Sequence, residues 1–313
     1  MSLASILANK LVMSNADLFG FVLTMPRRYK QYKIFKRNGI ETRHIAQPSK
    51  EAKFIQRIIV EELRKLLPPI HKAATAYEPG TGIKANALRH LNSRYLLKMD
   101  FKNFFPSITP EFLFLAAESS GIKFDELDKI LLENALFYKS TRRARLRMSI
   151  GAPSSPFISN FVMSGFDNDM FDYCAKRNIS YTRYADDLTF TTNEKDVLFE
   201  IPKIVESTLI NACFRKIRIN SKKTIFSSKK YNRHVTGVVL TSDGQLSVGR
   251  ARKREVSSLI NSFKYGKLDE KERLHLKGLI AHVHHIEPDF IFKMRKKYSD
   301  EVVNSLMKPP TAG

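Results

Sequence analysis

The segment Tyr181-Thr182-Arg183-Tyr184-Ala185-Asp186-Asp187-Leu188-Thr189-Phe190-Thr191 constrains this chain more than any other. β-Forming residues stand on both sides of the Ala185-Asp186 step, so the segment predicts two short strands joined by a tight turn. The turn presents two adjacent carboxylates, and their repulsion opposes ionisation of both unless a cation is bound. A hard divalent ion with oxygen ligands removes that cost; Mg²⁺ typically takes one or two carboxylates plus substrate phosphates. An isolated Asp-Asp pair is ordinarily only a solvated turn. Here a further acid stands in a matching setting, because the apolar run Tyr95-Leu96-Leu97-Lys98-Met99 ends at Asp100. Two-metal phosphoryl transfer needs such carboxylates from separate strands, holding ions about 3.5–4 Å apart.

The charge balance points the same way. Fifty-three Lys and Arg against 31 Asp and Glu give a net charge of +22 over 313 residues, which calls for a polyanionic partner. The basic residues cluster along the whole chain, as at Arg142–Arg147 and Arg250–Arg254, which favours a folded basic surface over a tail. Cys174 and Cys213 lie in apolar helical segments without metal-ligand spacing and are read as reduced core thiols, consistent with a cytoplasmic protein. The N-terminal apolar run is too short for a signal peptide. No stretch of about 18 apolar residues predicts a membrane span.

In chain order, residues 1–26 read as helical up to Pro26. Residues 32–45 form a β-hairpin around Asn38-Gly39, with Lys36, Arg37 and Arg43 projecting from it. A helix follows Ser49, with Phe54, Ile55, Ile58, Ile59, Leu63 and Leu66 as its apolar stripe. Asn86–His90 reads as a short helical turn, and Thr109-Pro110-Glu111 as N-cap, N1 proline and first-turn acid. Helices are expected over 124–138 and 202–212, the small-residue turn Gly151–Pro156 opens another, and strands are expected from Ile217 and over 235–240. Strands and helices interleave without a βαβ rhythm, which predicts an α+β fold with an antiparallel sheet.

Taken together, Tyr184-Ala185-Asp186-Asp187, Asp100 and the flanking order resemble the palm of a reverse transcriptase over roughly residues 30–240. Two shorter signatures, Asn86-Ala87-Leu88-Arg89-His90 and Val235-Thr236-Gly237, resemble those of the bacterial retron enzymes. The resemblance implies a right-hand polymerase architecture: an N-terminal helical extension over 1–30, fingers over 31–95, and a palm in two parts, 96–108 and 151–240. Insertion helices over 109–150 and a thumb and RNA-binding region over 241–313 complete it.

It also implies roles. Asp100, Asp186 and Asp187, with the Phe101 carbonyl, would hold two Mg²⁺ ions (Mn²⁺ as a substitute). Lys223, or its neighbour Lys222, would protonate the pyrophosphate leaving group. Lys36 and Arg43 would grip the incoming dNTP, Phe105 would exclude a ribose 2′-hydroxyl, and Gly151, Ala152 and Pro153 would line the nucleotide. Ile150 stands where the family often carries Gln, which puts a polar contact there in doubt. Asn86, His90, Tyr184, Val235, Thr236, Gly237, Arg250, Arg252, Lys253 and Arg254 would contact RNA or DNA. The implied partner is a cognate noncoding RNA serving as template and primer, with the DNA product a branched RNA–DNA hybrid. A separate effector protein acting in phage defence is a further implied partner. Two rivals are a structural RNA–DNA scaffold that restrains an effector, and an intron-like or diversity-generating reverse transcriptase.

Overall fold

The computed structural model describes residues 2–35 and 39–307. Helices α1 (Leu3–Leu11) and α2 (Asn15–Val22) come first, each opened by a serine whose side chain accepts an amide of the first turn. The buried Asp128 carboxylate also accepts the amides of Leu3 and Ala4 at 3.1 and 2.9 Å, placing a negative charge on the positive end of α1. Strands β1 (Tyr29–Phe35) and β2 (Thr42–Pro48) then pair antiparallel from Tyr29↔Pro48 to Phe35↔Thr42, as the hairpin reading predicts.

Helix α3 (Lys50–Leu66) is capped by Ser49, but its buried stripe is Ala52, Ile55, Gln56, Ile59 and Leu63, whereas Phe54 and Leu66 are exposed. The stripe tolerates Gln56 because its amide donates to the Ala135 carbonyl and to the Tyr29 hydroxyl. Next come α4 (Ile83–Leu88), β3 (Tyr95–Asp100), the short α5 (Phe104–Ser107), α6 (Pro110–Ser119) and α7 (Glu126–Leu136). The buried helix α8 (Ser155–Val162) and α9 (Ser164–Ala175), which buries the face of Phe166, Asp167, Met170 and Cys174, precede the hairpin of β4 (Ser180–Tyr184) and β5 (Asp187–Thr192). Then follow α10 (Ile201–Ala212), β6 (Ile225–Ser228), β7 (Arg233–Val235), β8 (Val238–Leu240) and β9 (Leu246–Ser247). Four helices end the described chain: α11 (Arg250–Lys264), α12 (Glu270–Ile286), α13 (Pro288–Tyr298) and α14 (Asp300–Met307).

The central sheet has the order β4-β5-β3-β6 and is antiparallel throughout. Side-chain alternation divides β3 between two environments. Leu97 and Met99 enter the large core shared with α8, α9 and α10, while Leu96 joins a smaller core with Ala87, Val235, Val238, Leu240 and Ile286. The last four helices enclose a core of their own, including Val256, Ile260, Leu276, Val283 and Val303. Both cysteines are buried and free, and burial pushes both thiols up, Cys174 to about 12. Among the described residues no single helix is long and apolar enough to cross a membrane.

Two expected strands differ. Residues 217–219 make only a single bridge, Phe101↔Ile219, and the strand lies further on at β6. The run 235–240 is a hairpin, because Thr236 (φ 50°) and Gly237 (φ 85°) both take left-handed backbone and turn β7 back as β8.

Candidate active site

The β4–β5 turn consists of Ala185 and Asp186, with Tyr184 and Asp187 closing the ladder. Asp187 is also the register partner of Asp100 across the β3–β5 pair, so two strand ends deliver three carboxylates to one edge of the sheet. Ala185 sits at φ 56°, a conformation that costs a non-glycine residue about 1–2 kcal/mol. The turn is held from below. Arg183, fully buried, donates through Nη1 to the Ala185 carbonyl at 3.2 Å, and through Nε and Nη2 to Asp167 at 2.5–3.1 Å. The same Nη1 reaches the Asn160 side-chain oxygen at 3.2 Å, and the Phe101 amide donates to the Asp186 carbonyl at 3.1 Å.

Asp100 is buried and already partnered. Its Oδ2 accepts from Lys223 Nζ at 2.7 Å and its Oδ1 from Asn220 Nδ2 at 3.2 Å. Lys223, and not Lys222, therefore reaches the carboxylates. Desolvation lowers its pKa, but the hydrogen bond to Asp100 and the charges of all three acids outweigh this and raise it. Desolvation, then Asp100, pushes the Asp186 carboxyl up. Asp187 keeps solvent on one side, yet desolvation, followed by repulsion from Asp186 and Asp100, pushes it up to about 6.

This frustration is what a divalent cation would relieve, and carboxylate oxygens are the right donors for a hard ion. Among the described residues, however, no three His, Cys, Asp or Glu side chains already converge as a metal cage. The reason is visible at Asp100, whose two oxygens are turned to Lys223 and Asn220. The residues fit the ions in chemistry, with Lys223 holding the place of positive charge.

An open cleft of about 990 Å³ spreads from Asp100 and Asp186. Arg43 of β2, Phe105, Gly151, Ala152, Pro153 and Lys222 all line it, as does Phe101. Phe104 is buried in the core while Phe105 is half-buried, the two rings meeting edge to face at 5.3 Å. Gly151 has φ 122°, and a Cβ there would lie 3.2 Å from both the Ala46 carbonyl oxygen and a methyl of Ile45. Its neighbour Ile150 also borders the cleft and accepts the Ala46 amide through its carbonyl at 3.0 Å. Lys36 lies outside the described residues. Tyr77, which no motif singled out, joins the cleft wall; desolvation, then the charge of Asp186, pushes its phenol up.

The two shorter signatures require a correction. Asn86, His90 and Val235 are fully buried and cannot touch a nucleic acid. Thr182 donates to Asn86 Oδ1 at 2.6 Å, so the Thr182 hydroxyl has no proton left for His90. His90 Nε2 must then donate to Thr182 (2.7 Å), leaving Nδ1 to accept from Thr191 at 2.8 Å. The ring is a neutral bolt across β4 and β5, and burial, followed by the Arg89 charge, depresses its pKa to about 3. Thr236 donates to the carbonyl of Ile83, the first residue of α4, so the two signatures pack on each other. Tyr184 and Thr236 are half-buried and Gly237 exposed. On α11, Arg250 and Arg254 are exposed, while Arg252 pairs with Glu255 at 2.9 Å and Lys253 with Glu287 at 2.5 Å.

Residues 34–240, which contain all three acids, match the family model described as reverse transcriptase (RNA-dependent DNA polymerase). The chain is 48% identical over 287 residues to the retron Ec83 reverse transcriptase of Escherichia coli, spanning 91% of each protein. It is 32% identical over 298 residues to the retron Ec73 reverse transcriptase of the same species, spanning 90% of each. Among solved structures it resembles a telomerase from Candida albicans in complex with a fragment of telomeric RNA. The TM-score is 0.50 at 12% identity, covering 89% of this chain and 59% of that one, a likeness of fold alone. The fold is the right-hand polymerase architecture and the activity is RNA-directed DNA polymerisation. Three acids gathered at two strand ends and the turn between β4 and β5, all inside the matched region, and relatives aligned over nine-tenths of their length, lead to one assignment: the chain belongs to the retron reverse transcriptases.

Proposed function

We propose that this enzyme copies part of a cognate noncoding RNA into a short DNA, primed from a 2′-hydroxyl of that RNA, so that the product is a branched RNA–DNA hybrid. The observation that carries the reading is the Asp100↔Asp187 register beside the Asp186 turn, in a chain nearly half identical to a retron reverse transcriptase. In each step a hydroxyl oxygen attacks the α-phosphorus of a dNTP, the bond to pyrophosphate breaks, and the hydroxyl proton passes to solvent water. Asp100, Asp186 and Asp187, with the Phe101 carbonyl, would hold two Mg²⁺ ions, which supply charge neutralisation to the attacking and leaving oxygens. Lys223 would release Asp100 and give its proton to the departing pyrophosphate. Arg43, with its planar fork, would grip the triphosphate together with Lys36. Gly151, Ala152 and Pro153 would let backbone approach the nucleotide, with Phe105 against the sugar where a 2′-hydroxyl would clash.

The fingers, palm and thumb boundaries given above belong to this proposal, with the exposed Arg250 and Arg254 of the thumb as RNA contacts. So do a bacterial cytoplasmic location and a role in phage defence through a separate effector.

The test is to purify the protein from cells carrying its flanking DNA, as wild type and as Asp186→Ala, and to analyse the bound nucleic acid. A short DNA covalently joined to RNA, sensitive to debranching and present only with wild type, is expected. RNA alone in both preparations would refute the priming reading. For the defence role, phage plating should rise on deletion and on Asp186→Ala alike; unchanged plating refutes it.

A further inference from the structure

Tyr77 has no role in the chemistry above, yet the fold works to hold it in the cleft. Its backbone is left-handed (φ 68°), a strained state for an aromatic residue, and the residue is 47% exposed. Strain at an exposed position persists only when neighbours over-determine it. The Asn160 side-chain amide donates to the Ala76 carbonyl at 2.9 Å and to Glu78 at 3.3 Å, and Glu78 is forked by Arg64 at 3.0 and 3.4 Å. On the other side, the Thr75 amide and hydroxyl donate to the Arg183 carbonyl at 2.8 and 3.1 Å. Asn160 also receives Arg183, which holds the Ala185 carbonyl of the catalytic turn. One frame of hydrogen bonds therefore holds both the Ala185-Asp186 turn and the Tyr77 segment, and Asp186 and Tyr77 line the same cleft.

We propose that Tyr77 is a positioning residue whose ring stacks on a nucleobase at the growing end of the RNA–DNA pair. An enzyme that copies any sequence needs a contact indifferent to base identity, and an aromatic face supplies it. Tyrosine does so at low entropic cost, having only two side-chain torsions. The proposal rests on the polymerase assignment.

The experiment uses the full chain and a DNA primer annealed to an RNA template, with 2-aminopurine either at the templating position or at the primer terminus. Tyr77→Phe should behave as wild type. Tyr77→Leu should raise KM for primer–template or dNTP at least about fivefold, with kcat within about twofold. Quenching of 2-aminopurine should fall at whichever of the two positions carries the stacked base. Tyr77→Gly should melt no lower than wild type, since glycine relieves the φ strain, while showing the same kinetic loss. Wild-type constants and unchanged quenching at both positions in Tyr77→Leu and Tyr77→Gly would overturn the proposal alone. A wild type that copies no template would overturn it together with the polymerase assignment.

Discussion

His90 offers a quantitative test of the buried frame. The ring is fully buried and neutral, with its folded-state pKa depressed to about 3 from an ordinary 6.5. A depressed histidine contributes stability that is fully present above pH 6.5 and is lost as pH falls, because only the unfolded chain takes up the proton. At pH 5 the loss is RT ln(1 + 10^1.5), about 2 kcal/mol, and any folded-state pKa below about 4 gives the same figure. His90→Gln keeps one donor and one acceptor between Thr182 and Thr191 without the titration. The chain has no tryptophan, so urea unfolding is followed by circular dichroism, at pH 7 and pH 5, for both proteins. His71 and His234, also depressed by desolvation, and the raised Asp187 act equally in both and cancel in the difference. Wild type should lose about 2 kcal/mol more than His90→Gln between these pH values. Parallel losses, agreeing within about 0.5 kcal/mol, would refute the neutral-bolt assignment.

Three further outcomes are expected. Arg183→Met strands the buried Asp167 charge and should destabilise the chain by about 3–5 kcal/mol, most of it recovered when Asp167→Leu is added; a double variant no more stable than the single one contradicts this. Asp187→Asn should raise the urea midpoint at pH 7 in EDTA. Asp187 has a raised pKa, so its contribution is favourable below about 3.8 and is lost as pH rises through about 6; the gain should vanish by pH 4. Gly151→Ala should lower stability by about 1–2 kcal/mol and raise KM for dNTP, since φ 122° and the Ala46 carbonyl both oppose a Cβ; unchanged melting and KM would show that the turn relaxes freely.

How much of this was legible in the sequence depended on the range over which the cause acts. The Asp-Asp hairpin, the Asp100 strand and the Thr109-Pro110 cap are local: alternation, turn chemistry and capping are written within a few residues. The hairpin at Thr236-Gly237 is local too, but it requires a threonine at φ 50°, which β-propensity argues against; the pairing of Arg233–Val235 with Val238–Leu240 overrides it. Arg183 and Asp167 are sixteen residues apart, and a charged residue inside a β-forming run carries no mark of the partner that will bury it. The same holds for Tyr77, a loop residue whose cause is Asn160 on α8, more than eighty residues on. The retron signatures show the consequence most clearly. The family resemblance places Asn86 and His90 against RNA, and nothing within their short helical turn marks the partners that bury them. Asn86 Oδ1 and both His90 ring nitrogens find theirs in Thr182 and Thr191, on the two strands that carry the Ala185-Asp186 turn, while Asn86 Nδ2 stays unpaired. This signature lies close to Asp100 but far from Asp186 and Asp187 in sequence, yet it pins the two strands that carry them, so disrupting it should lower activity and stability together while RNA contacts stay intact.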